Sequence, residues 1–82
     1  MRTIELSQGQ VALVDDEDYN ELNKYKWYAA KHRRTFYAFR GEKGVTVRMH
    51  RSIMQAKTGE IVDHKDGNGL NNQKENLRYC NS

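Results

Sequence analysis

The residues best suited to chemistry lie in the last third of the chain. Asp63 and His64 are adjacent, and they follow the short apolar pair 61–62, which predicts a strand that delivers two neighbouring polar side chains. The next run, residues 66–69, reads Asp-Gly-Asn-Gly and predicts a tight loop. Aspartate, histidine and asparagine grouped around such a loop predict a site for one hard divalent cation beside a base.

A calcium loop is the competing metal interpretation of this segment. If His64 is counted as the first position, Asp66, Asn68 and Glu75 occupy the third, fifth and twelfth ligand positions of an EF-hand. The first position requires an oxygen ligand, however, and residues 60–62 have the pattern of a strand rather than of a helix. Calcium binding is therefore the weaker of the two interpretations.

The elements that must position this segment form a small α+β fold. Residues 26–31, 35–40 and 45–48 are aromatic or β-branched runs separated by turn-length links, so they predict a three-stranded antiparallel sheet. Residues 3–14 predict a β-hairpin with a turn at 7–9. Helical spacing of apolar residues predicts two helices, at 17–25 and 49–56.

Length and composition limit the class of protein. Eighty-two residues, 37% hydrophobic and 30% charged, with a mean hydropathy of -1.03, predict a single domain with a thin core. We expect a metal, a partner or unusually good packing to support it.

The sequence contains neither about 18 consecutive apolar residues nor an apolar leader, which predicts a soluble cytoplasmic protein and no membrane partner. Cys80 is the only cysteine, so a disulfide within the chain and a paired-cysteine zinc site are excluded, and we assign it no role.

Positive charge is concentrated in the middle of the chain. Residues 24–57 contain ten lysines and arginines and one glutamate, a net charge of +9, whereas residues 1–23 have a net charge of -5 and residues 58–82 one of -1. A basic block interleaved with aromatic residues is typical of a surface that contacts nucleic-acid phosphates, although the solvated face of a small sheet has a similar composition. The predicted phosphate contacts are Lys31, Arg33, Arg34, Arg40, Arg48 and Arg51.

Four other ring residues have simpler interpretations. Trp27 and Tyr37 are expected in the core or on a sheet face rather than stacked on bases. His50 is expected to pack or to contact a phosphate at the start of its helix, and His32 to lie in a loop near the basic block.

Taken together, the motifs resemble the HNH endonuclease family, in the subgroup of phage and homing enzymes. The resemblance is carried by Asp63-His64, the 66–68 turn, the Asn71-Asn72 pair and the run 75–78, Glu-Asn-Leu-Arg. Upstream residues 24–28, 36–38 and 48–51 resemble the segment that precedes the motif in stand-alone phage members, so that the likeness covers roughly residues 8–80. The three-strand-plus-helix part also resembles the plant ethylene-response-factor type of DNA-binding domain, at the level of fold.

The resemblance implies a DNA endonuclease that hydrolyses phosphodiester bonds with one Mg²⁺ or Mn²⁺ ion. His64 would be the general base, Asp63 a metal ligand, and Asn76 would brace the loop or the histidine ring. Nicking is the simpler outcome for a chain of this size. The oligomeric state, monomer or homodimer, and the target sequence stay open, and the implied location is the cytoplasm of a bacterial or phage-infected cell.

The resemblance also implies how the single domain, residues 1–82, is divided. Residues 1–57 would form the basic sheet and helices that contact DNA, and residues 58–82 the ββα-metal motif. The family places its last metal ligand about two and a half helical turns beyond the middle asparagine, and Asn81 lies too close to Asn76 to take that place. We therefore expect a truncated final helix, and the alternative function is a DNA-binding module that has lost catalysis.

Overall fold

Seven strands in the computed structural model pair as three separate antiparallel sheets, and the residues described are 1–80. The first sheet pairs β1 with β2, the second has the order β3-β4-β5, and the third pairs β6 with β7. No helix within this part of the chain is long and apolar enough to cross a bilayer. The elements are β1 (Arg2–Glu5), β2 (Val11–Val14), α1 (Asp16–Leu22), β3 (Tyr28–His32), β4 (Thr35–Glu42), β5 (Val45–Arg48), α2 (Met49–Met54), β6 (Ile61–His64), a 3₁₀ turn (Lys74–Asn76) and β7 (Leu77–Cys80).

The first hairpin and helix have the predicted order, but α1 is shorter than predicted. It ends at Leu22 rather than near residue 25, because the chain leaves the helix to bury Trp27, which is 6% exposed. The indole Nε1 donates a hydrogen bond of 2.8 Å to the carbonyl of Leu22 at the helix end, and this carbonyl also accepts one of 3.2 Å from the main-chain N–H of Tyr25. Acidic residues in the first turn, Asp16, Glu17 and Asp18, complement the helix dipole.

The predicted three-stranded sheet is confirmed, and its two faces differ. Tyr28 pairs with Phe39, and Phe39 pairs with Arg48, so these three side chains share one face. The opposite face carries Ala29 and Ala38, which are 2% and 1% exposed. The alanine face covers the core, and the aromatic face is the one that the functional site uses.

The core contains side chains from the first hairpin, both helices, the central sheet and the site segment at Leu70. Helix α2 starts at Met49 as predicted but ends two residues early, at Met54, where Gln55 adopts a left-handed conformation with φ of 53°. Met49 is fully buried, and Leu70 brings the segment between β6 and β7 into the same core. The buried core residues are Ile4, Ala12, Val14, Leu22, Trp27, Ala38, Met49 and Leu70.

The last hairpin contains the strand predicted at 61–62, which extends to His64, and a second strand, β7. Asp63 pairs with Arg78 and His64 with Leu77. Residues 65–76, which we call the site loop, connect β6 to β7 and return to the core through hydrogen bonds with β2. The fold is thus α+β with antiparallel sheets; the helix expected after the hairpin stays a prediction, since Asn81 and Ser82 lie outside the described residues.

Candidate active site

His64 is a buried imidazole at the end of β6. Alternation along the strand turns Val62 and His64 inward, and the His64 residue is 6% exposed. Its Nε2 atom lies 2.7 Å from the Oδ1 atom of Asn72, which is fully buried. The position of the ring is therefore determined by a partner in the site loop.

Two further rings pack around His64. The ring centroid of His50, at the start of α2, lies 4.8 Å from that of His64, and the Tyr37 ring lies 5.8 Å from both. Burial lowers the pKa of His50 from its usual 6.5 to about 4, and the positive field of His64, Arg48 and Arg51 acts in the same direction. At neutral pH His50 is thus an uncharged ring beside His64.

A cavity of about 230 Å³ opens where these rings meet. It lies between the aromatic face of the central sheet and strand β6, with the charges of Arg48 and Asp63 in its wall. The residues that line it are His32, Tyr37, Phe39, Arg48, His50, Val62, Asp63 and His64. The cavity thus brings imidazole, phenol, carboxylate and guanidinium groups to one place.

Asp63 lies beside His64 in sequence but is directed differently. Neighbouring residues of a strand point to opposite sides, so His64 is buried while the Asp63 side chain is 45% exposed. Its Oδ2 atom forms an ion pair of 3.0 Å with Nη2 of Arg78, the residue opposite it in the hairpin. Asp63 and His64 therefore both line the cavity, although their side chains leave the strand on opposite sides.

Asn76 braces the site loop. Its Nδ2 atom donates hydrogen bonds of 2.9 Å to Oδ1 of Asp66 and to the carbonyl of Asn71, and its Oδ1 atom accepts one of 3.2 Å from the main-chain N–H of Asp66. Hydrogen bonds from the Asn71 side chain, the Asn68 backbone and the Asn76 side chain lower the pKa of Asp66. Of the two roles considered for Asn76, these contacts favour bracing the loop over holding the histidine ring.

Comparison with known proteins identifies the family. A family model described as HNH endonuclease matches residues 29–82. The chain belongs to the HNH endonuclease family. No curated protein and no solved structure matches it. The matched span runs from the second residue of β3 through β7, and it contains every residue that lines the cavity of this HNH chain.

HNH nucleases generally use a divalent metal ion, and the cavity offers few side chains that could bind one. Magnesium is commonly bound through one or two carboxylates together with water and substrate phosphates. Asp63 offers one hard, half-exposed oxygen donor at the cavity, whereas residues 1–80 contain no cluster of three or more histidine, cysteine, aspartate or glutamate side chains around a common point. The donor set fits an ion bound through Asp63 and substrate oxygens, and it does not form a closed protein cage.

The predicted basic contacts fall into two groups. Lys31, Arg33 and Arg34 are exposed on β3 and the following turn, and Arg48 is exposed at the cavity. Arg40, by contrast, packs over the Tyr25 ring at 3.9 Å and pairs with Glu42 at 2.8 Å. Arg51 donates hydrogen bonds to the carbonyls of Lys57 and Glu60. Four of the six are thus exposed, while Arg40 and Arg51 bind other parts of the protein.

Asn72 and His50 are the contacts to His64 that sequence reasoning did not assign. The sequence marks Asn72 only as part of an asparagine pair, and it predicts His50 only as a packing or phosphate contact. Nothing local marks Asn72, because its place depends on a hydrogen bond of 2.8 Å from its main-chain N–H to the carbonyl of Leu13. The burial of Asn72 could be recognised only from the three-dimensional structure, because its neighbours in sequence are polar.

A larger cavity, of about 720 Å³, lies between β1, α1 and residues 25–27. Its lining includes Glu5, Tyr19, Lys26 and Trp27 but neither histidine nor cysteine. All of its lining residues precede the span that the family model matches, whereas the smaller cavity lies within that span and contains His64, so the smaller cavity is the candidate active site.

Proposed function

We propose that this HNH chain hydrolyses phosphodiester bonds in DNA, with His64 as the general base. The observation that carries the proposal is the buried His64 imidazole, which is held at one nitrogen by Asn72 and lies in the wall of a cavity that Asp63 and Arg48 also line. Family membership supports a nuclease-type enzyme with DNA as its substrate. The general base, the metal requirement and nicking are our proposals.

The chain's own groups would divide the work in the following way. A neutral His64 ring accepts a proton from the attacking water, whose oxygen forms the new bond to phosphorus as the bond to the leaving 3′-oxygen breaks. Arg48, at the cavity, attracts the phosphate, and neutral His50 adds no positive charge that would oppose protonation of His64. A bound Mg²⁺ or Mn²⁺ ion would supply positive charge to the phosphate and the leaving oxygen, with Asp63 as its protein ligand.

DNA would be held mainly by the exposed basic residues of the sheet. Lys31, Arg33 and Arg34 lie on β3 and its turn, and His32, from the same stretch, lines the cavity. A backbone bound along this edge would continue past Arg48 to His64. In this proposal residues 1–57 provide most of the phosphate contacts, residues 58–82 provide the catalytic motif, and the cavity lies between the two parts.

The decisive experiment is a plasmid-nicking assay with Mg²⁺ or Mn²⁺, comparing the wild-type protein with His64→Ala. We expect open-circular product from the wild type and a loss of at least about 100-fold in rate from the variant, because general-base catalysis typically contributes that much. Salt-dependent DNA binding should be retained by the variant, which separates loss of chemistry from loss of folding. Equal nicking by both proteins would reject His64 as the base.

A second candidate, a DNA-binding module without catalysis, is favoured by two observations. The only carboxylate at the cavity is paired with Arg78, and residues 1–80 hold no three-ligand cluster. This candidate predicts no cleavage with any divalent ion and binding that weakens steeply with salt. The double variant Arg33→Ala, Arg34→Ala should reduce the salt dependence, whereas Lys24→Ala, which removes an exposed partner of Glu21, should leave it unchanged.

A further inference from the structure

We propose that Asn72 is a positioning residue that fixes the tautomer of His64, with the proton on Nε2 and the free lone pair on Nδ1. The role assigned to Nδ1, as the atom that accepts the proton of the attacking water, rests on the proposed function. The tautomer itself is a property of the folded chain, and it can be measured without substrate.

The hydrogen-bonding chemistry of the two groups leads to this assignment. An amide oxygen has lone pairs and no proton, so a hydrogen bond of 2.7 Å between Oδ1 of Asn72 and Nε2 of His64 requires the proton to be on Nε2. A neutral imidazole has only one N–H group, which leaves Nδ1 as an acceptor. The His64 ring makes no other hydrogen bond within residues 1–80.

Asn72 is itself held firmly, and from a distant part of the chain. Its main-chain N–H donates to the carbonyl of Leu13 at 2.8 Å, next to a parallel bridge between Leu13 and Asn71. Strand β2 therefore determines where the amide oxygen lies, although β2 contributes no side chain to the cavity. On the other side of the hydrogen bond, His50 and Tyr37 pack against the His64 ring and restrict its rotation.

Packing alone does not account for an asparagine at position 72. The residue is 0% exposed, and its Nδ2 atom is buried without a hydrogen-bond partner among the described residues. An unpartnered buried amide nitrogen is unfavourable, and a leucine of similar volume would avoid that cost. What asparagine provides here and leucine could not is the Oδ1 atom, which accepts a hydrogen bond from His64.

The test is a ¹H–¹⁵N NMR correlation of the histidine rings in the free protein at about pH 8, well above the ordinary imidazole pKa of about 6.5. Protonated and unprotonated ring nitrogens have well-separated ¹⁵N shifts, and the variants His32→Gln and His50→Gln assign the remaining signals to His64. We expect a protonated Nε2 and an unprotonated Nδ1 in the wild type. In Asn72→Leu both shifts should move towards the averaged values of two exchanging tautomers.

Asn20→Leu, the same exchange at an exposed position of α1, is the matched control and should leave the His64 signals unchanged. Activity provides a second readout: Asn72→Leu should lower kcat about 10- to 100-fold, the usual effect of losing such an orienting partner, with little change in DNA binding. A wild-type ring protonated on Nδ1, or unchanged shifts in Asn72→Leu, would overturn the proposal.

Failure of the two proposals can be told apart. If Asn72→Leu does not fold, the wild-type shifts alone decide which nitrogen carries the proton. A protein that shows the expected shifts but cuts no DNA would retain the positioning by Asn72 and would remove the nuclease function. A protein that cuts DNA with His64 protonated on Nδ1 would retain the nuclease function and would remove the positioning by Asn72.

Discussion

The apolar core and the site loop touch each other at Leu70 but are held by different interactions. The core is formed by aliphatic and aromatic side chains from the first hairpin, both helices and the central sheet, together with Trp27 and with Leu70 of the site loop. In the site loop, the two carboxylate oxygens of Asp66 accept hydrogen bonds of 2.8–3.0 Å from Asn68, Asn71 and Asn76. The core is stabilised by burial of apolar surface, whereas the site loop is stabilised by hydrogen bonds between particular donors and acceptors.

This difference indicates how each region should respond to substitution. Core positions generally accept an exchange of similar volume and shape, since burial is not directional. A hydrogen-bonded loop requires specific atoms, because removal of one partner leaves the other unpaired. We therefore expect core substitutions to act on stability and loop substitutions to act on the geometry around His64.

The largest effect on stability is expected from Met49→Ala in the core. Met49 is fully buried, and such truncations cost about 2–5 kcal/mol because a cavity remains. Urea unfolding should show this loss, while Val45→Ala, at a residue that is 62% exposed, should stay within about 0.5 kcal/mol of wild type. A Met49→Ala protein of unchanged stability would show that the core does not depend on this side chain.

Acid should lower the unfolding free energy of the protein through His50, which packs against His64. Its pKa of about 4 in the folded protein is below the ordinary 6.5. Between these two values the unfolded chain binds a proton at His50 and the folded chain does not. The stabilisation, about 3 kcal/mol at most, is fully present above pH 6.5 and is lost as the pH falls towards 4. Unfolding measured across this range should be less pH-dependent in His50→Gln, and equal slopes would contradict the shift.

Gly69→Ala should separate the loop from the sheet. A methyl group on Gly69 would clash with the carbonyl oxygen of Phe36 and would lie 2.7 Å from Cδ1 of Tyr37. We expect a loss of about 1–3 kcal/mol in unfolding free energy, together with faster hydrogen exchange of the site loop. Gly41→Ala, which meets no atom within 4 Å, is the control and should be nearly neutral. Similar results for both variants would show that the close approach of loop and sheet is unimportant.

The smallest effect on stability is expected from Asn76→Ala. The substitution removes three hydrogen bonds, but the exposed side of the loop is then solvated, so we expect a cost of about 1–2 kcal/mol. The nicking rate should nevertheless fall by a larger factor than in Met49→Ala, because the loop carries Asn72. If Met49→Ala lost more activity than Asn76→Ala under conditions where both are folded, the contrast between the regions would be wrong.

Some of this architecture could be predicted because it depends on local patterns. The runs at 26–31, 35–40 and 45–48 alternate as half-buried strands do, and all three became strands of one sheet. The helix ends were predicted less well, since α1 stops early for the burial of Trp27, an interaction that local spacing does not encode. The six basic candidates could not be sorted by sequence either, because the partners of Arg40 and Arg51 come from the fold.

The sequence by itself determined the family, the order of the elements and the presence of Asp63 and His64 at the end of one strand, because motifs and periodicity are written along the chain. Only the tertiary structure decided which groups meet there. His50 reaches His64 from α2, and Asn72 is set in place by β2, about sixty residues away in sequence. These contacts follow from long-range strand pairing and core packing, and the state of an imidazole depends on the atoms next to it in space.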